Sequence, residues 1–283
     1  MPTKAANLKA ILASPSYKLA EQDVDFLARP ELRPVRLQLE LLKPEMALRE
    51  HNVRSTIVVF GGTQIVERRE AQRRLREARS LLERSPDDPA LKRLVDRAQR
   101  IVDKARYYDE AREFGRIVSA AGQREAPRDY VVVTGGGPGI MEAANRGAFD
   151  VGADSIGFNI TLPAEQLPNP YITPDLCFQF HYFALRKMHF LLRAVALVIF
   201  PGGFGTCDEL FDALTLRQTR RMQAIPIILY GRDYWTKFLN FQFLADEGVI
   251  EDAHLDLISY AETPQEAFEI IERFHAVASQ PTG

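Results

Sequence analysis

A chain of 283 residues, 46% hydrophobic and 26% charged, has the composition of an ordinary soluble globular protein. At that length roughly three quarters of the unfolded surface can be buried, without disulfides or structural metals. The 36 Lys+Arg and 38 Asp+Glu leave a formal charge of −2, so bulk electrostatics favours neither nucleic acid nor an anionic membrane, and a bound anion must be held by local geometry.

Residues 1–54 read as mainly helical, with prolines at 15, 30, 34 and 44, and are expected to form an arm packing on the core or on a second subunit. The apolar stretch at 8–13 is too short and interrupted for a secretory signal. Cys177 and Cys207 fit no CxxC or zinc pattern, and the expectation is a reduced, cytoplasmic protein. Short β-branched runs follow at 56–60 (TIVVF), 130–134 (YVVVT), 155–160, 196–200 and 226–230. Continuous apolar strands separated by helices predict a doubly wound, Rossmann-like parallel sheet of the α/β class. The run 194–200 is a buried strand, far short of the roughly 20 residues of a membrane span.

Between the first two strands, 67–113 is rich in charge of both signs over helically spaced Ala71, Leu75, Ala78 and Leu82, then Leu91, Leu94, Ala98, Ile101, Ala105 and Tyr108. With Asp88 as N-cap and Pro89 as first helical residue, this predicts an inserted helical hairpin with a solvated face, a reading favoured over a basic nucleic-acid arm. Thr263 and Glu266 form a capping-box pattern that opens a terminal helix through about residue 278.

Ligands of such sheets bind beyond the carboxyl ends of the strands, where three glycine clusters fall: Gly61 and Gly62; Gly135, Gly136, Gly137 and Gly139; and Gly202, Gly203 and Gly205. The second cluster, TGGGPGIME, leads from strand to helix, and its backbone amides suit a phosphate. It is not GxGxxG, since position 140 is Ile, and no Gly-Lys-Ser/Thr is present, which disfavours a dinucleotide dehydrogenase and excludes a P-loop NTPase. A tight turn using glycine for packing alone is the plain alternative.

The third cluster, PGGFGTCDE at 201–209, leaves two readings open. Thr206 and Glu209 have capping-box spacing, so the glutamate serves backbone N–H groups. Alternatively, the amides of Gly203, Gly205 and Thr206 hold phosphate while Glu209, on the first helical turn, faces the ligand. Upstream, Arg186 and Lys187 adjoin an aromatic, apolar surface, and one of them is expected to point inward to an anion or carboxylate. His181 and His189 lack metal spacing, and neither a metal nor a cofactor is expected. Cys207 on an early helical turn invites a nucleophile reading, but no histidine partner lies nearby in sequence.

TGGGPGIME paired with PGGFGTCDE and an upstream Arg-Lys resembles the Lonely Guy family, often labelled lysine decarboxylase-like. The resemblance covers about 56–260 and meets P-G-G-x-G-T-x-x-E in full at 201–209. It implies hydrolysis of nucleoside 5′-monophosphates, notably cytokinin nucleotides and AMP, to free base and ribose 5-phosphate, by at least a homodimer with its site near the subunit interface. It puts the catalytic arginine on Arg186 and the catalytic glutamate on Glu209. Lys187, the loop from Gly202 through Phe204 to Asp208, and Thr215 are implied to line the nucleotide site. The long N-terminus, the hairpin, the stretch from Asn159 through Glu165 and Gln166 with Asn169 and Tyr171, and that from Leu214 to Thr219 resemble the longer subgroup. The rival from another class is a non-catalytic carrier of a phosphorylated ligand, such as the molybdenum cofactor.

Overall fold

The computed structural model describes residues 1–162 and 167–278, so Glu165 and Gln166 of the subgroup stretch lie outside the described residues. The chain forms two compact units, Met1–Glu45 and Met46–Gly283. In the first, helix α1 (Lys4–Leu12) is capped by Thr3, whose side chain accepts from the Ala6 amide, and α2 (Val24–Leu27) is capped in the same way by Asp23. Pro15 and Pro30 each open a 3₁₀ turn, where their fixed φ costs nothing. The Arg36 guanidinium donates to the carbonyls of Leu27 and Arg29, tying the start of α3 (Arg33–Glu50) to the end of α2.

In the second unit the elements follow as β1 (Thr56–Phe60), α4 (Arg68–Arg84), α5 (Pro89–Lys104), α6 (Arg106–Gly122), β2 (Val131–Thr134), α7 (Ile140–Asp150), β3 (Ser155–Ile160) and β4 (Cys177–Phe180). They continue as α8 (Phe183–Leu192), β5 (Ala194–Ile199), α9 (Phe204–Gln218), β6 (Ile227–Tyr230), α10 (Arg232–Phe238), α11 (Phe241–Asp246), β7 (Ile258–Ala261) and α12 (Pro264–Ala278). The described strands form one parallel sheet in the order β4-β3-β2-β1-β5-β6-β7, the doubly wound architecture expected from the apolar runs.

Alternation of side chains along a strand explains why those runs are apolar throughout. On β1, Val58 and Phe60 enter one buried cluster while Ile57 and Val59 enter another on the opposite face. Each fully buried valine or isoleucine contributes about 1.5–3 kcal/mol of transfer free energy. Leu48 and Val53, ahead of β1, are already part of this core.

The helical insertion departs from its expected limits. Helices α4 and α5 form the hairpin, with Asp88 accepting from the Ala90 and Leu91 amides as its N-cap. The chain then breaks at Ala105, and Arg106 starts a separate helix, α6, which returns the chain to the sheet and buries Tyr107, Tyr108, Ala111 and Phe114. Tyr108 therefore belongs to the core, not to the hairpin. The junction carries neither proline nor glycine, so the helical spacing runs through it without a signal. The outer face of α4 carries the ion pairs Arg73–Glu70, Arg73–Glu77 and Arg74–Glu70, and α5 buries none of its residues. Among the described residues no helix is long and apolar enough to cross a membrane.

Sheet topology fixes where a ligand can sit. From β1 the chain winds outward through β2, β3 and β4, then returns to place β5 on the other side of β1, so the strand order reverses between these two neighbours. Phe60 pairs with Ile199 at their ends, and the Phe200 amide donates to the Phe60 carbonyl at 2.9 Å.

Candidate functional site

Three glycine loops converge at that reversal. The Gly62 amide donates to Pro201 O at 2.9 Å, and the Ile140 amide to Gly62 O at 3.3 Å, so the loops after β1, β2 and β5 touch one another. Gly139, at φ +76°, is the N-cap of α7; a Cβ there would lie 2.5 Å from Gly62 O, which explains glycine at this position.

Above the loops is a cleft of about 330 Å³ lined by Phe60, Gly61, Gly62, Thr63, Gly135, Met141, Arg186, Gly203, Phe204, Gly205, Thr206 and Glu209. The volume suits a small ligand. Helix α9 opens into it. The amides of Phe204, Gly205 and Thr206 occupy its first turn and have no intrahelical acceptor; the Cys207 amide is the first to bond back, to Gly203 O at 3.0 Å. Fifteen residues of helix add their dipole to these donors, so the mouth of α9 is built to receive an anion.

Glu209 is not on the first turn, and the Thr206–Glu209 capping box does not form. Extended Gly203 is the N-cap and Phe204 the first helical residue, which moves Thr206 into the turn and Glu209 to the next one. Thr206 instead covers Gly202: a Cβ on that glycine would come 2.6 Å from the Thr206 Cβ. Released from capping, Glu209 is only 9% exposed, and burial pushes its carboxyl up to about 7; Lys187 and Arg186 hold it down, while Asp208 and Asp212 add to the rise.

Arg186 reaches the same cleft from α8. Its Nε donates to the Phe158 carbonyl at 2.7 Å and its guanidinium lies 5.3 Å from the Phe190 ring centroid, which aims the remaining nitrogens past Gly135. A Cβ on Gly135 would be 2.6 Å from Arg186 Nη2, so this glycine makes room for the arginine. Burial lowers the Arg186 pKa, and Glu209 opposes that drop.

The other candidates have different places. Lys187 Nζ pairs with Asp208 Oδ1 at 2.8 Å, and neither lines the cleft. That hydrogen bond, with the fields of Glu209, Asp212 and Asp208, outweighs desolvation and raises the lysine pKa. Thr215 donates to Phe211 O at 2.7 Å and lines a separate apolar pocket with Phe211, Leu214, Phe241 and Leu244. Gly136 and Gly137 lie in the loop behind the lining, and Gly202 is held by Tyr234, whose hydroxyl donates to its carbonyl at 2.6 Å. Burial raises the Cys207 thiol pKa, the reverse of what a nucleophilic thiolate needs.

Sequence reasoning did not select Phe60, Thr63 or Met141, which line the cleft. Met141 stood within the quoted TGGGPGIME motif; for Phe60 and Thr63 the one signal was adjacency to the first glycine pair.

The family model described as "Possible lysine decarboxylase" matches residues 141–271. A pyrimidine/purine nucleotide 5′-monophosphate nucleosidase of Escherichia coli (strain K12) is 34% identical over 119 residues, 37% of this chain and 25% of that protein. The match thus spans a quarter of that relative's length. A protein of Oryza sativa subsp. japonica named "Probable cytokinin riboside 5'-monophosphate phosphoribohydrolase" is 28% identical over 177 residues, 60% of this chain and 66% of that one. Among solved structures, the molybdenum cofactor binding protein of Rippkaea orientalis aligns with a TM-score of 0.47 at 17% identity, over 78% of this chain and 98% of that one. The matched model and the named relatives agree with the resemblance to the Lonely Guy family carried by the glycine-rich motifs, and the chain is similar to that family, whose model carries the lysine decarboxylase description.

Proposed function

We propose that this protein hydrolyses the N-glycosidic bond of nucleoside 5′-monophosphates, AMP or cytokinin riboside monophosphates among them, to free base and ribose 5-phosphate. The observation that carries the reading is the meeting of a buried carboxyl, Glu209, and a half-buried guanidinium, Arg186, in one cleft floored by glycine amides. A carrier of a phosphorylated ligand needs the amides but has no use for a carboxyl beside them. The names of the Escherichia coli and Oryza sativa relatives point to the same chemistry.

In this reading the loop amides and the N-terminus of α9 hold the 5′-phosphate, and binding energy remote from the reacting bond positions the ribose. As the C1′–N bond lengthens, its electron pair leaves with the base and positive charge builds on C1′. Ionised Glu209 stabilises that charge and accepts a proton from the attacking water, whose oxygen bonds to C1′; the departing base takes up a proton. Arg186 stabilises the anionic end of the system, phosphate or base. A carboxyl that titrates near neutrality is suited both to accept and to return a proton.

The protein is further proposed to act as a homodimer or larger assembly in the cytoplasm without a cofactor, with the nucleotide, not a nucleic acid, as partner. Exposed Met188, Leu192 and Phe211 on α8 and α9 support self-association beside the site helices. Incubation with AMP and with a cytokinin riboside monophosphate, followed by chromatography of free base, tests the reading. Tight nucleotide binding with no base released from any nucleoside monophosphate would place the protein among carriers; carbon dioxide release from lysine would favour the decarboxylase label.

A further inference from the structure

Three polar side chains are buried behind the loop that follows β2: Thr134 and Asn145 at 0% exposure and Asn169 at 7%. Thr134 Oγ1 accepts from the Gly136 amide at 3.0 Å and donates to Asn145 Oδ1 at 2.7 Å, while Asn145 Nδ2 donates to the Ile156 carbonyl at 3.3 Å. Asn169 closes the network. Its Nδ2 lies 3.2 Å from Gly136 O, 3.2 Å from Gly137 O and 3.0 Å from Asn145 Oδ1, its own amide donates to Gly136 O at 2.8 Å, and its Oδ1 accepts from the Tyr171 amide at 3.2 Å.

Two consecutive carbonyls of the glycine loop are therefore drawn to one side by a single residue, Gly136 O by both the backbone amide and the side chain of Asn169 and Gly137 O by the side chain. In a planar trans peptide the C=O and the following N–H point in opposite directions, so turning Gly136 O toward Asn169 turns the Gly137 N–H away from it. Glycine peptides without Cβ atoms can flip, and φ +74° at Gly136 is open to few other residues. The Asn169 backbone amide still holds Gly136 O when the side-chain donor is lost, but Gly137 O is then free to rotate outward and present its negative dipole to an incoming anion.

We propose that Asn169 is a positioning residue for the 5′-phosphate: its amide group holds the loop carbonyls back and so keeps the loop receptive to an anion. This rests on the nucleotide reading of the cleft, but it is tested by binding as well as by turnover. Asn169→Asp keeps the acceptor for the Tyr171 amide and loses the donor; Asn169→Ser retains a shorter donor. In calorimetric titrations Asn169→Asp is expected to bind ribose 5-phosphate about tenfold more weakly than wild type, with Asn169→Ser between them, matching the loss of the one side-chain donor that holds Gly137 O. Adenine binding should be unchanged in both. With AMP as substrate, KM should rise by the same factor while kcat stays within about twofold.

Equal weakening of ribose 5-phosphate and adenine would mean general disruption and overturn the proposal, as would wild-type ribose 5-phosphate affinity in a folded Asn169→Asp variant. Should that variant fail to fold, Asn169→Ser carries the same comparison. If wild type binds ribose 5-phosphate but releases no base, the hydrolase reading falls while the binding arm still decides the role of Asn169. A wild type that binds no ribose 5-phosphate overturns both.

Discussion

Replacing Glu209 by glutamine should make the protein more stable at alkaline pH while disabling it. Burial raises the Glu209 carboxyl from 4.5 to about 7. In the unfolded chain the group loses its proton near its ordinary value; in the folded chain it keeps it until about pH 7. Between those limits the folded state binds more protons, so this group's contribution to stability falls as pH rises and is fully unfavourable above about 7. At about 1.4 kcal/mol per tenfold change in proton affinity, the ionised carboxylate costs the fold about 3 kcal/mol. Glutamine has nearly the same shape and no charge, so Glu209→Gln removes this pH dependence. Urea unfolding of both proteins in phosphate-free buffer at pH 5 and pH 8.5 isolates the effect, because any pH-independent packing change cancels in the difference of differences. The variant is expected to gain about 3 kcal/mol on wild type between the two conditions, on the order of 5 °C or more in Tm at pH 8.5. Base release should meanwhile fall by about 100-fold or more. A stability difference that is flat between pH 5 and 8.5 would show that Glu209 is solvated in the folded protein, and the argument from burial would be wrong.

Lys187 and Asp208 act on Glu209 by their fields, the lysine lowering and the aspartate raising its pKa. Lys187→Met is expected to move the acidic limb of the kcat/KM profile to higher pH and Asp208→Asn to lower pH, each by about half a pH unit as for partly exposed charges; shifts in the same direction would contradict this. In Gly135→Ala the new methyl group meets Arg186 Nη2 and Met141 Sδ, both at the ends of flexible side chains. The fold should survive while displacement of the arginine lowers turnover by about 10- to 100-fold, read by free-base chromatography. Asp88→Ala removes the N-cap of α5 and should cost about 1 kcal/mol in the hairpin, seen as faster amide exchange there, with activity unchanged.

The central strands β1, β2 and β5 were legible because burial on both faces demands an unbroken apolar run. Edge strands β4 (CFQF) and β7 (ISYA) were not, because their residues alternate in burial or stay half-exposed and mix polar with apolar side chains. The helix break at Ala105 was invisible for a related reason: α5 and α6 share one spacing, and only tertiary packing separates an exposed stripe from the buried face of Tyr107, Tyr108 and Phe114. The candidate site was legible as motifs and not as a site. Spacing put Arg186 and Glu209 on the helices flanking β5, but it took the reversal of strand order beside β1 to turn both toward Gly135 and Gly203. Spacing equally suggested a capping glutamate, and that reading fails on one backbone detail, the extended conformation of Gly203, which starts α9 at Phe204. Had the helix begun at Thr206, the carboxyl would be spent on backbone amides and held ionised. Because the helix starts earlier, the same residue is buried with no amide partner among the described residues, and its affinity for a proton comes from the fold.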